Sequence, residues 1–192
     1  MLDAHEASNI LVSGLVLGFA FGNLFGLSFL SFIQFTIFST ISLMLYRYVK
    51  GSVSFFFGSS SRYRLWLPGV FLSLLSSFFG IVFAVPGFAR VREEKRLRWV
   101  RSEPHLRPKH LGFIGSFGPV AFILLGVVSM AMASLTSFEV FSDVAKMNFW
   151  MSLSFLFPYP YLDGGRLLMW SRIAWGLAVV TAFTGLVVSY LI

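Results

Sequence analysis

Residues Phe157–Trp170 read FPYPYLDGGRLLMW, and the fold turns on what such a stretch does inside a greasy chain. Pro158 and Pro160 break any helix that arrives from the N-terminal side, since each lacks a backbone N–H and clashes with the preceding turn. Gly164 and Gly165 follow at once. Between them stands Asp163, the one carboxylate set among the long apolar runs. An ionisable side chain at membrane depth is costly and marks a candidate functional site.

The surroundings of Asp163 define the class. Hydrophobic residues make up 57% of the chain and charged residues 12%, with a mean hydropathy of +0.81; a soluble domain carries about 25% charged residues. Charge-free runs extend from Ala7 to Tyr46, Leu65 to Ala89, Leu111 to Phe138, Met147 to Leu162 and Ile173 to Ile192. A spanning helix needs about 20 apolar residues. The expectation is an all-α polytopic protein of the cell membrane, with residues 1–192 forming one membrane domain. Met1–Asn9 is acidic rather than basic, so no cleavable signal peptide is expected. The absence of cysteine excludes disulfides and thiolate metal sites. The net charge of +7 sits beside the apolar runs, which reads as topology signal and as attraction to anionic lipid rather than nucleic acid.

The first run is too long for one span. Gly22, Asn23 and Gly26 mark its turn, giving helices over about 10–22 and 30–48. Gly14, Gly18 and Gly22 recur every four residues, a spacing that suits close helix packing as well as ordinary membrane glycine usage. Arg47 and Lys50 close the second helix, and the polar, alternating connector after it leaves room for short β-strands. Further helices are expected over about 112–135, 148–158 and 173–192. Residues 67–88, bracketed by Pro68-Gly69 and Pro86-Gly87, either span or re-enter, for a total of five to six transmembrane helices. The positive-inside rule decides for re-entry. If 67–88 dips and returns, all but Lys146 of the 15 Lys and Arg residues fall on one face. That leaves five crossings, a cytoplasmic N-terminus and a basic cytoplasmic loop over about 89–110.

His5-Glu6-Ala7-Ser8-Asn9 looks like a damaged His-Glu-x-x-His metal motif with Asn9 in place of the second histidine. Lying ahead of the first span, it reads better as a polar lead-in, with Ser8 or Asn9 capping the first helix. His105 and His110 are spaced off the helical i,i+4 match and read as solvated interfacial residues.

At Asp163 the pattern resembles a known family. FPYPYLDGGR is similar to the Leu-Asp-Gly segment of the site-2 proteases, the intramembrane zinc metalloproteases. GFIGSFGPVAFILLG resembles the family's Gly-Pro-x-x-Asn helix, and RYRLWLPGVFLSLLSSFFGIVFAVPGFARV the stretch that follows the metal helix in archaeal-type members. The resemblance covers the chain from about Leu43 onward. It aligns Gly58, Tyr63, Arg64 and Trp66 with the segment after the His-Glu-x-x-His motif. Tyr46 then falls on the first zinc histidine, Arg47 on the catalytic glutamate and Lys50 on the second histidine. Phe122 and Phe155 fall on two family asparagines, and only Asp163, the third ligand position, is retained.

Catalytic zinc needs three protein ligands and an open position for water, and a single carboxylate beside two bases cannot hold it. The resemblance therefore implies a pseudoprotease with no catalytic residues, no metal and no cofactor. Asp163 then needs a partner, because a buried carboxylate is paired, protonated or wet. Lys50 or Arg47 is expected to pair with it. The other course is that both bases snorkel to the interface and Asp163 caps a helix starting at Gly164. The function expected is a scaffold or accessory subunit of a membrane complex. Broad phenylalanine-rich faces would meet lipid or other membrane subunits, and the basic loop Arg90–Lys109 would meet anionic lipid or a partner. The alternative is a divergent active intramembrane metalloprotease that binds zinc through ligands such as His5 with Asp163. A small transporter or channel component is the remaining class, since an intramembrane carboxylate beside a broken helix suits an ion site.

Overall fold

The computed structural model of the chain describes residues 3–26, 28–93, 108–136 and 138–191. Within them the chain forms seven helices and one two-stranded antiparallel sheet. Four helices are long and apolar enough to cross a membrane: α1 (Ala4–Phe25), α2 (Phe29–Phe56), the Lys109–Thr136 part of α4 (Pro108–Thr136), and α7 (Arg172–Leu191). The fold is that of an all-α membrane protein.

Helices α1 and α2 form a hairpin through Gly26, whose φ of 134° suits only glycine. The glycine repeat is its seam. A Cβ at Gly14 would collide with Thr40, and one at Gly18 with Thr36, while Gly22 lies against Phe32. Ser39 Oγ donates to the Gly14 carbonyl at 3.1 Å across the same seam. Small residues here let two backbones approach closely, which is how helices hold together where lipid removes the hydrophobic drive.

Both helices outrun their expected bounds. α1 begins at Ala4 rather than near residue 10, because Asp3 at its N-cap and Glu6 in its first turn suit the positive end of the helix dipole. Ser8 and Asn9 therefore lie inside the helix, and Ser8 Oγ bonds back to the His5 carbonyl at 3.0 Å. α2 continues to Phe56 rather than stopping near 48. Arg47 and Lys50 do not close it, because both find carboxylate partners inside the protein.

Strand β1 (Ser59–Leu65) pairs with β2 (Gly87–Glu93), with Leu65 opposite Gly87 and Ser59 opposite Glu93. The Trp66 N–H extends the pairing to the Pro86 carbonyl at 2.8 Å. Helix α3 (Leu67–Ser77) leaves from this point, with Pro68 in its first turn where a missing N–H costs nothing. It runs beside α1 until Asn23 Nδ2 meets the Ser77 carbonyl at 3.1 Å. Gly80, at φ 75°, turns the chain, and residues 81–86 return to the sheet without regular structure. Val82, Ala84 and Val85 are buried, so their backbone groups need protein partners. Ser76 Oγ accepts from Phe83 N–H at 2.9 Å, and Ser154 Oγ accepts from Ala84 N–H at 3.0 Å.

Helix α5 spans Glu139–Phe155 rather than 148–158. It starts at Glu139, a carboxylate suited to the positive end of the helix dipole, contains the Lys146–Asp143 pair at 3.3 Å, and ends before the break at Pro158. Helix α6 (Asp163–Trp170) starts at Asp163 itself, with Leu162 at its N-cap, and α7 follows after Ser171. The loop expected over 89–110 is in part β2 and the start of α4; residues 94–107, His105 among them, lie outside the described residues.

One end of the bundle gathers several elements. Glu6 of α1 meets Arg47 of α2 and the Tyr63 backbone of β1. The Phe57 ring lies 5.2 Å from His110 at the start of α4, and Phe113 lies 5.8 Å from Trp170 at the end of α6.

A candidate site around Asp163

Helical spacing builds the first wall of the site. Tyr46 and Lys50, four residues apart on α2, share one face, and both are fully buried. The second wall is the N-terminus of α6, where Asp163 is 1% exposed. A carboxylate is favoured at that end by the unpaired backbone N–H groups and the dipole. The third wall is α4. Gly118 leaves the gap that the other groups fill, since a Cβ there would sit 2.6 Å from Asp163 Oδ2 and against the Tyr46 ring.

The polar atoms form a closed set. Lys50 Nζ donates to Asp163 Oδ1 in a buried ion pair. Tyr46 Oη donates to Asp163 Oδ2 at 2.9 Å and accepts from Lys50 Nζ at 3.1 Å. It also accepts from the Ala89 N–H of β2 at 3.1 Å. The hydroxyl therefore uses its donor and both its lone pairs, and each carboxylate oxygen has a donor. Aromatic rings seal the cluster: Phe122 lies 5.3 Å and Phe155 4.9 Å from the Tyr46 ring, and 5.1 Å from each other.

Of the six positions singled out from sequence, Tyr46, Lys50, Phe122, Phe155 and Asp163 meet here. Arg47 does not. One residue along a helix turns about 100°, and this turns Arg47 away from Asp163 towards α1. There its Nε and Nη2 both bond the Glu6 carboxylate, the latter at 3.2 Å. Asp163 is the first residue of α6, with Leu162 at the N-cap position, and its carboxylate bonds Tyr46 and Lys50.

Glu6 is a second buried carboxylate that the sequence reading left as part of a polar lead-in. Beyond Arg47 it accepts the Tyr63 N–H at 2.6 Å. The Tyr63 hydroxyl donates to Ser13 Oγ at 2.9 Å, and burial holds this phenol well above its ordinary pKa, offset only in part by the Ser13 bond. The Tyr63 ring stands edge-on to Tyr46 at 6.5 Å, so the two polar clusters touch through aromatic edges. His5 is beside this second cluster and not at Asp163, for Glu6 and Tyr63 share its cavity. With Asp3, Asn9 and Arg62 it lines an open polar cavity of about 500 Å³ at the start of α1.

The donor set at Asp163 does not fit zinc. Zinc takes thiolate, neutral imidazole or carboxylate ligands; here the carboxylate faces an ammonium and a phenol that is already fully bonded. Among the described residues no three His, Cys, Asp or Glu side chains converge as a metal site would require. Fold and site together define an all-α membrane protein with a buried, internally bonded ion pair at its centre. No protein-family model, curated protein or solved structure matches the chain.

Proposed function

We propose that this chain is a catalytically inactive, site-2-protease-like integral membrane protein that serves as a scaffold or accessory subunit of a membrane complex. The observation that carries this reading is the Lys50 ammonium held on the Asp163 carboxylate. A base at that point engages the one ligand the resemblance retains, and its charge repels a cation. The meeting of the α2 pair Tyr46 and Lys50 with Phe122, Phe155 and Asp163 around one point supports the reading further, because the last three lie on other helices, far along the chain, and it is the resemblance that links them to α2.

In the bilayer the proposed arrangement is multi-pass, with five crossings: α1, α2, α4, α5 continued by α6, and α7. The stretch from α3 to residue 86 is re-entrant, which the neighbouring positions of Leu65 and Gly87 support. The end that gathers Glu6, the sheet and the start of α4 faces the cytoplasm, in keeping with the basic residues near it.

Gentle detergent extraction of the chain from its native membrane, followed by mass spectrometry and metal analysis, tests the proposal. A second membrane protein recovered in fixed ratio is expected. A lone chain carrying one zinc, and cleaving a transmembrane peptide unless Asp163 is changed to Ala, would overturn it.

A further inference from the structure

Arg166 lies one turn beyond Asp163 on α6. Its side chain makes no ion pair or hydrogen bond among the described residues, and its Nη1 is buried without a partner. A guanidinium nitrogen left so is costly unless an anion completes it. The Lys50–Asp163 pair is neutral as a unit, so it does not balance this charge. The Arg166 side chain lines a groove of about 320 Å³ together with Arg90 of β2, and the remaining wall includes Phe88, Leu111, Tyr161 and Met169. Residues two apart on a strand share a face, which is how β2 supplies both Phe88 and Arg90.

We propose that this groove binds the phosphate of an anionic glycerophospholipid, with Arg166 and Arg90 on the phosphodiester and the acyl chains along Leu111 and Met169. The walls distinguish a lipid from a soluble anion. Met169 is 72% exposed and Tyr161 60%, an apolar and an amphipathic surface open beside the two arginines. The Tyr159 ring lies 5.6 Å from that of Tyr161, and such residues belong at headgroup level. Arginine forks match phosphate oxygens two at a time. The site stands whether or not Asp163 belongs to a former metal centre.

Native mass spectrometry of the delipidated full chain, offered phosphatidylglycerol or phosphatidylcholine, tests it. Phosphatidylglycerol should be retained in preference, and Arg166→Gln and Arg90→Gln should each lower its retention by about fivefold, the weight of one basic residue at an anionic surface. Arg166→Lys should recover part of the loss. Because Arg90 is exposed, its variant reports on binding even where Arg166→Gln lowers the melting temperature. Equal retention of phosphatidylcholine, or unchanged retention in the Arg90 variant, would overturn the site. So would inorganic phosphate or glycerol phosphate displacing the lipid at matched concentration, which would make it a soluble-anion site.

Discussion

The Asp163–Lys50 pair makes a double-mutant cycle informative. Asp163→Asn keeps the shape of the side chain and removes its charge. Lys50, fully buried, would then keep only an amide and the Tyr46 hydroxyl at 3.1 Å as partners. Removing one member of a buried pair costs about 3–5 kcal/mol, and losing a carboxylate at the start of α6 adds about 0.3–1 kcal/mol. Lys50→Met keeps length and volume, and leaves the carboxylate with the Tyr46 hydroxyl alone, at a cost in the same range. With both changes no charge is left unpaired. The double variant should therefore be less destabilised than the two singles summed, by about 2–3 kcal/mol of coupling. Unfolding in mixed detergent micelles, followed by tryptophan fluorescence, gives the four free energies. Costs that add to within about 0.5 kcal/mol would refute the pairing. So would a Lys50→Met variant as stable as the parent, because the ammonium would then be elsewhere.

Three further outcomes follow from the same contacts. Gly118→Ala pushes a methyl group to within 2.6 Å of Asp163 Oδ2 and should cost about 1–3 kcal/mol by overpacking, read in the same assay. Ser154→Ala strips the buried Ala84 N–H of its acceptor and should cost about 1–3 kcal/mol, with faster hydrogen exchange confined to residues near 82–86. Tyr63 sets an alkaline limit: burial keeps its proton in the folded chain while the unfolded phenol loses it near its ordinary pKa of about 10. Its contribution is full below about pH 10 and is lost as pH rises above it, so melting temperatures of Tyr63→Phe should fall less steeply across that range.

Helix faces explain what could be read from the sequence and what could not. The apolar runs were enough for the class of fold, because a stretch without charge and of spanning length has few other solutions. Helix ends were not legible, because the reading placed them where charge begins, and charge here is neutralised inside the protein. The stripe of buried residues on α2 runs through Ser39, Ser42, Leu43, Tyr46 and Lys50. Continued at helical spacing it includes Lys50 and passes over Arg47, so the choice between the two bases as partner of Asp163 was present in the periodicity. On α1 the buried stripe Ile10, Ser13, Gly14 and Leu17 leads back one turn to Glu6. That signal was masked by taking His5-Glu6 as part of a polar lead-in ahead of the helix rather than as two positions on it. The Arg47–Glu6 contact itself joins two helices, and no local pattern specifies it. What makes it necessary is physical: with Arg47 pointing at α1 rather than at Asp163, a carboxylate must meet it there, and Glu6 sits on the face that can.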